Sequence, residues 1–82
     1  MAKGSRMFSK ITIKEGCSIG LHTHFKETEY YYILQGTGKV EEADGMKDVK
    51  AGDLVITGDQ QSHSIENTGK DDLIFIALII LD

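Results

Sequence analysis

The three histidines of the chain lie at positions suited to binding one metal ion. His22 and His24 are two residues apart, so both point to the same face if the segment is an extended strand. Glu29 follows after a gap that a short turn can close, and His63 comes from a segment much later in the chain. Three imidazoles and one carboxylate form a donor set typical of first-row transition metals, whereas calcium prefers oxygen ligands alone. The sequence therefore predicts a metal site.

Composition and charge exclude several classes of partner. The chain has 82 residues, a formal net charge of −4 and a pI near 5.2, which disfavours a nucleic-acid partner because such proteins need a basic face. Cys17 is the only cysteine, so no intramolecular disulfide can form. The longest apolar run, Leu73–Leu81, is too short to span a bilayer. We expect a cytoplasmic protein with no nucleic-acid and no membrane partner.

The pattern of residues predicts an all-β domain. The chain has no proline and nine glycines, and its β-branched and aromatic runs are separated by Gly, Asp and Asn turn signals. Eight strands are predicted, at Met7–Ile13, Cys17–His22, Glu29–Gln35, Gly38–Glu42, Met46–Lys50, Leu54–Thr57, Ser62–Asn67 and Leu73–Leu81. Asp44-Gly45 is the strongest hairpin signal. Eight short strands with regular turns favour a sandwich or barrel of jelly-roll type. We expect a flexible N-terminus at 1–6 and one β-barrel domain at 7–82.

Two predicted strands are apolar on both faces. If Glu29 faces the interior, then Tyr31, Ile33 and Gln35 share its side, while Tyr30, Tyr32 and Leu34 face outward. Leu73–Leu81 shows no alternation at all. A strand that is apolar on both faces is normally covered on both faces. We therefore predict a homodimer that packs the outer faces of its sheets together, with a terminal strand inside a sandwich core as the alternative.

The residues around the histidines resemble two sequence motifs of the cupin family. The first cupin motif is Gly, five residues, His-x-His, three or four residues, Glu, six residues, Gly. Gly16, His22, His24, Glu29 and Gly36 match it without a gap. The second motif is Gly, five residues, Pro-x-Gly, two residues, His, three residues, Asn.

Three residues of the chain match the second motif, namely Gly52, His63 and Asn67. The Pro-x-Gly of the family is replaced by Gly58-Asp59-Gln60, a departure that bears on the loop before His63. Together the two motifs cover residues 16–67, most of the chain.

The resemblance implies a fold and a ligand set. The fold would be a single-domain cupin β-barrel of the small conserved type, also called a double-stranded β-helix or jelly roll. His22, His24, Glu29 and His63 would hold a divalent transition metal inside it. Four protein ligands on a six-coordinate ion leave two positions open, which favours Mn, Fe, Ni or Co, with Zn as a further occupant of purified protein.

The resemblance leaves the activity open, because cupins include dioxygenases, isomerases, decarboxylases and non-catalytic binding proteins. One candidate function is a metal-dependent, dioxygenase-like enzyme acting on a small organic substrate. The second is a non-catalytic module that binds a metal and a small ligand. The third is a sugar or sugar-acid isomerase, which is disfavoured because no Lys or Arg lies at an inward strand position to hold a phosphate. Whether the protein is an enzyme stays open at this point.

Two residues are candidates for catalysis. Glu29 would tune the metal or carry a proton, and the Tyr31 hydroxyl would donate a proton or a hydrogen bond to a bound substrate. Core packing is the alternative role for Tyr31. Gln35 and Thr57 either line the barrel or satisfy turns at strand ends.

Overall fold

The predicted all-β fold is confirmed. The computed structural model describes residues 5–23, 25–42, 45–58 and 61–81, with the backbone alone at 5–7, 21 and 22. Every predicted strand forms, and no strand end differs from its predicted position by more than two residues. The strands are β1 Ser5–Ile13, β2 Ser18–Thr23, β3 Glu27–Gln35, β4 Thr37–Glu42, β5 Gly45–Lys50, β6 Leu54–Thr57, β7 Ser62–Asn67 and β8 Leu73–Leu81. The division into a flexible segment and a barrel domain stays a prediction.

The strands form two four-stranded antiparallel sheets. The first sheet has the order β1-β8-β3-β6 and the second has the order β2-β7-β4-β5. Most chain neighbours belong to different sheets, so the chain crosses repeatedly between them, as in a jelly roll. The core lies between the sheets and is formed by alternate residues of the strands. Its buried members are Ile13, Tyr31, Ile33, Val40, Val49, Val55, Ile65, Leu73, Phe75 and Ala77.

The predicted parity of β3 is correct along most of the strand. Glu29, Tyr31 and Ile33 are buried, and Tyr32 and Leu34 are exposed. Gln35 is the exception, because the pairing with β8 shifts register between Ile33 and Gln35 and leaves Gln35 exposed. The expectation that Gln35 shares the inward face is therefore wrong.

Two motif residues hold the turns at the end of the sandwich away from the histidines. Gly36 has a φ of 90°, and a Cβ there would lie 2.7 Å from the backbone oxygen of Asp72, so the position requires glycine. The buried amide of Asn67 donates hydrogen bonds to the carbonyls of Ile13 and Asp71, and its oxygen accepts one from the Gly69 amide. Asn67 thus has the predicted role of tying down local backbone.

The outer faces of the two sheets differ in chemistry. On the first sheet, two rows of direct ladder partners cross all four strands. These rows are Phe8, Leu78, Tyr30 and Ile56, then Lys10, Ile76, Tyr32 and Leu54. On the second sheet, the corresponding row contains Ser18, Glu66, Lys39 and Asp48. The first sheet therefore presents an apolar outer face, and the second presents a polar one.

The β4–β5 hairpin forms where Asp44-Gly45 predicts it, with Glu42 paired to Gly45; Asp44 itself lies outside the described residues. Across the described ranges, no helix is long and apolar enough to cross a membrane.

Candidate metal centre

His63 is the centre of the candidate site. It lies on β7, an inner strand of the second sheet, and its side chain is 1% exposed. Both of its ring nitrogens meet side chains of the first sheet. Nε2 lies 2.7 Å from Oε1 of Glu29, and Nδ1 lies 2.7 Å from the hydroxyl of Thr57. The imidazole therefore connects the two sheets through the core.

The register of the first sheet explains how one ring meets both side chains. Glu29 on β3 and Thr57 on β6 are direct ladder partners, and directly opposed residues share one face of a sheet. Both are buried, at 3% and 2% exposure. From neighbouring strands, Glu29 contacts Nε2 of His63 and Thr57 contacts Nδ1. The pairing of β3 with β6 thus sets the geometry of this part of the site.

Tyr31 lies on the same inward face as Glu29 and contacts the imidazole. Its ring stacks on His63 with centroids 4.8 Å apart and an interplanar angle of 18°, and its hydroxyl is 3.4 Å from Nε2. Burial, the negative charge of Glu29 and a hydrogen bond to that carboxylate together raise the pKa of the Tyr31 hydroxyl. Because 3.4 Å is long for an O–H···N bond, Glu29 is the stronger acceptor. Tyr31 is thus a protonated donor within the site.

His22 occupies the position on β2 directly opposite His63. This register depends on a β-bulge: Ile19 pairs with Ile65, and the next pair is His22 with His63, so β2 carries one residue more than β7 between the two pairs. If β2 continued from Ile19 without a bulge, position 21 would lie opposite His63 and His22 would lie opposite Ser62. The neighbouring pair confirms the register, since the hydroxyls of Thr23 and Ser62 lie 2.6 Å apart.

The structure brings two of the four predicted ligands into contact. Glu29 and His63 meet, His22 is placed by its backbone register, and His24 lies outside the described residues. Among the side chains that the structure describes, no group of three His, Cys, Asp or Glu residues converges. The full ligand set therefore stays a prediction.

The chemistry of the described donors fits a transition metal. A buried imidazole nitrogen and a buried carboxylate oxygen converge, and the second ring nitrogen is held by a hydroxyl. Histidines that bind metals commonly have their other nitrogen held in this way. Of the two roles that the sequence left open for Thr57, the structure shows the inward one, with the hydroxyl against His63, and its shared parity with Val55 was a usable signal.

The loop that lacks the family proline is closed by a pair of hydrogen bonds. The Gly58 amide donates to the side chain of Gln61 at 2.7 Å, and the Gln61 amide donates to the Gly58 carbonyl at 3.2 Å. Asp59 and Gln60 lie outside the described residues. Gln61 thus helps to fix the approach to His63 where the sequence has no proline.

Comparison with known proteins identifies the family. The model of the cupin domain matches residues 9–79, nearly the whole chain. The chain is a cupin. This confirms the resemblance inferred from the two motifs, and with it the jelly-roll fold.

The cupin has a close relative in Thermotoga maritima. The oxalate-binding protein of that organism is 46% identical over 81 residues, which cover 99% of this chain and 67% of the relative. The crystal structure of a predicted oxalate decarboxylase from the same organism is also 46% identical, with a TM-score of 0.94 over 96% of this chain and 69% of that chain. The chain thus spans about two thirds of these relatives.

A more distant structure shows the fold alone. The cupin domain of Cnp3 from Schizosaccharomyces pombe has a TM-score of 0.92 at 18% identity, covering all of this chain and 60% of that one.

Proposed function

We propose that this cupin binds a divalent transition metal through His22, His24, Glu29 and His63, and that the ion in turn binds a small dicarboxylate of the oxalate type. The observation that carries the proposal is the buried contact between Glu29 and His63. His63 in turn lies directly opposite His22 in the ladder of β2 and β7. Two buried polar groups of this kind are costly inside an apolar core unless they serve each other or a ligand.

The buried polar side chains that the structure describes support the binding of an anion through the metal ion. The buried polar side chains that the structure describes are Glu29, Thr57, His63 and Asn67, and none of them is a lysine or an arginine. A buried dianion needs a cation, which the metal would supply. The two coordination positions left by four protein ligands would accept two oxygens of one dicarboxylate. The 46% identical relative named as an oxalate-binding protein supports oxalate as the first ligand to test.

The direct test is calorimetric titration of oxalate into metal-free and manganese-loaded protein. We expect stoichiometric binding to the loaded protein, no binding to the metal-free protein, and much weaker binding of acetate, which has one carboxylate. Zinc-loaded protein repeats the test with an ion that is not redox-active. Equal binding of oxalate with and without metal would contradict the role of the ion. No binding of oxalate to the metal-loaded protein would contradict oxalate as the ligand.

A catalytic version of the function is favoured by Tyr31. Its protonated hydroxyl lies beside the candidate donors and can donate a hydrogen bond to a bound substrate there. The reaction to test is cleavage of hydrogen oxalate into carbon dioxide and formate, which balances without a further reactant. Formate release by manganese-loaded protein would establish an enzyme, oxygen uptake would establish the dioxygenase-like alternative, and binding with neither would establish the non-catalytic module.

The apolar outer face of the first sheet supports a homodimer. Phe8, Leu54 and Ile56 on this face are 65%, 55% and 53% exposed. Contiguous exposed apolar patches of this width are rare on monomers. A second copy of the chain offers the same face, so an isologous pair would cover both at once.

A further inference from the structure

The hydroxyl of Thr57 has one described partner in the core, and that partner is a proposed metal ligand. It lies 2.7 Å from Nδ1 of His63, and both side chains are almost fully buried. The opposite nitrogen of the ring, Nε2, faces the carboxylate of Glu29 at 2.7 Å. Thr57 therefore contacts the nitrogen that points away from the other donor.

The hydrogen-bonding capacity of these groups restricts where the ring protons lie. Where Glu29 is ionised it only accepts, so the 2.7 Å contact then has Nε2 of His63 donating its hydrogen to Glu29. A neutral ring then has an unprotonated Nδ1, which accepts a hydrogen bond from the Thr57 hydroxyl. When Nε2 serves as a metal ligand, the single proton of the neutral ring lies on Nδ1 and is donated to Thr57.

The contact with Nδ1 of His63 therefore needs a group that can donate a hydrogen bond in the metal-free protein and accept one in the metal-bound protein. A hydroxyl does so by rotating about its C–O bond, whereas a carbonyl or carboxylate only accepts and a methyl group does neither. We infer that Thr57 is a positioning residue that fixes Nε2 as the metal-binding nitrogen of His63, and that its hydroxyl reverses direction between the metal-free and the metal-bound protein. The inference rests on the proposed metal site.

Two substitutions separate the hydroxyl from the shape of the side chain. Thr57→Val keeps the branched volume and removes the hydroxyl, and Thr57→Ser keeps the hydroxyl and removes the methyl group. We expect Thr57→Val to weaken zinc binding by about 10- to 100-fold and Thr57→Ser to change it by only a few fold. Val55→Ala is the control for general destabilisation, since Val55 is buried two residues earlier on β6. It should lower the melting temperature without changing zinc affinity.

Nitrogen-15 NMR of the histidine rings gives a readout that a purely structural role would not change. In metal-free protein, the Nδ1 resonance of His63 should show a hydrogen-bonded, unprotonated nitrogen in wild type and Thr57→Ser, and an unbonded one in Thr57→Val. In zinc-loaded wild type, Nδ1 should carry a proton that exchanges slowly with water. The His63 signals are assigned with a His63→Gln variant.

The outcomes separate this inference from the metal site itself. Identical Nδ1 resonances in all Thr57 variants, or unchanged zinc affinity in Thr57→Val, would overturn the inference while leaving the metal site in place. Failure of wild type to bind zinc would overturn both the metal site and the assignment of Nε2 as its ligand, whatever the metal-free spectra show.

Discussion

Three of the side chains that the structure describes contact the ring of His63. Glu29 bonds one ring nitrogen, Thr57 bonds the other, and Tyr31 stacks against the ring face. Tyr31 is itself packed against Phe75, with ring centroids 4.6 Å apart. Such packing fixes the imidazole before any ligand arrives, which lowers the entropic cost of binding.

Removing the Tyr31 hydroxyl should change how stability depends on alkaline pH. The pKa of Tyr31 is raised in the folded protein, so above about pH 10 the unfolded chain loses this proton while the folded chain keeps it. Stability from this group is thus complete below about pH 10 and declines above it, by up to about 1.4 kcal/mol per pH unit. In Tyr31→Phe, this contribution to the decline of the unfolding free energy with rising pH disappears. Urea unfolding between about pH 8 and pH 11 measures it, and equal slopes in both proteins would contradict the account.

The sequence predicts the contacts of this ring only in part. Strand parity places Glu29 and Tyr31 on one inward face, and the second motif identifies His63. Thr57 is different, because its role depends on the pairing of β3 with β6 and on the distance between the two sheets. Neither follows from local pattern, and an inward threonine at a strand end is equally compatible with a turn.

At the scale of the elements, the bulge in β2 matters most. Ile19 packs against the core and His22 lies opposite His63, although the two are three residues apart. In a regular strand they would lie on opposite faces. The i, i+2 spacing of His22 and His24 predicts a shared face between those two positions, but it does not reveal the bulge. The bulge becomes evident only when the ladder with β7 is known.

Deleting Gly20 should therefore remove the bulge while leaving His22 opposite His63. The deletion leaves one residue between Ile19 and His22, which matches the single residue between Ile65 and His63, so we expect zinc affinity within a few fold of wild type with the strand still paired. Gly20→Ala is the matched control, because a Cβ at Gly20 meets nothing within 4 Å and its φ is not positive. Zinc affinity and far-UV circular dichroism measure the two effects. A 10-fold loss of zinc affinity in a deletion variant whose strands are still paired would contradict this placement of the bulge.

At the scale of the whole molecule, the two sheets have different surroundings. The row Glu66, Lys39 and Asp48 on the second sheet suits water, and Lys39 and Asp48 form an exposed ion pair at 3.9 Å. The first sheet instead exposes rows of aliphatic and aromatic side chains. The sequence predicts the apolar half of this asymmetry, since β3 and β8 are apolar on both faces, whereas the polar outer row of the second sheet becomes evident only from the strand pairing.

A charge on the apolar face should separate the proposed dimer. Ile56→Glu would place two uncompensated carboxylates in an isologous interface, which costs several kcal/mol of association. Met46→Glu is the control, because Met46 is 56% exposed on β5 in the second sheet. Light scattering should give twice the 9.1 kDa chain mass for wild type and Met46→Glu, and 9.1 kDa for Ile56→Glu. A wild-type mass of 9.1 kDa at high concentration would contradict the dimer.

The most direct test of the metal site is elemental analysis of protein that is purified without a histidine tag, loaded with manganese or zinc, and desalted. Glu29→Gln removes a proposed ligand at almost constant volume, and Glu41→Gln makes the same change at an exposed position on β4. We predict about one metal ion per chain in wild type and Glu41→Gln, and at least 10-fold less bound metal in Glu29→Gln at limiting metal. Wild-type protein that retains no stoichiometric metal, or a Glu29→Gln variant that retains as much as wild type, would contradict the account.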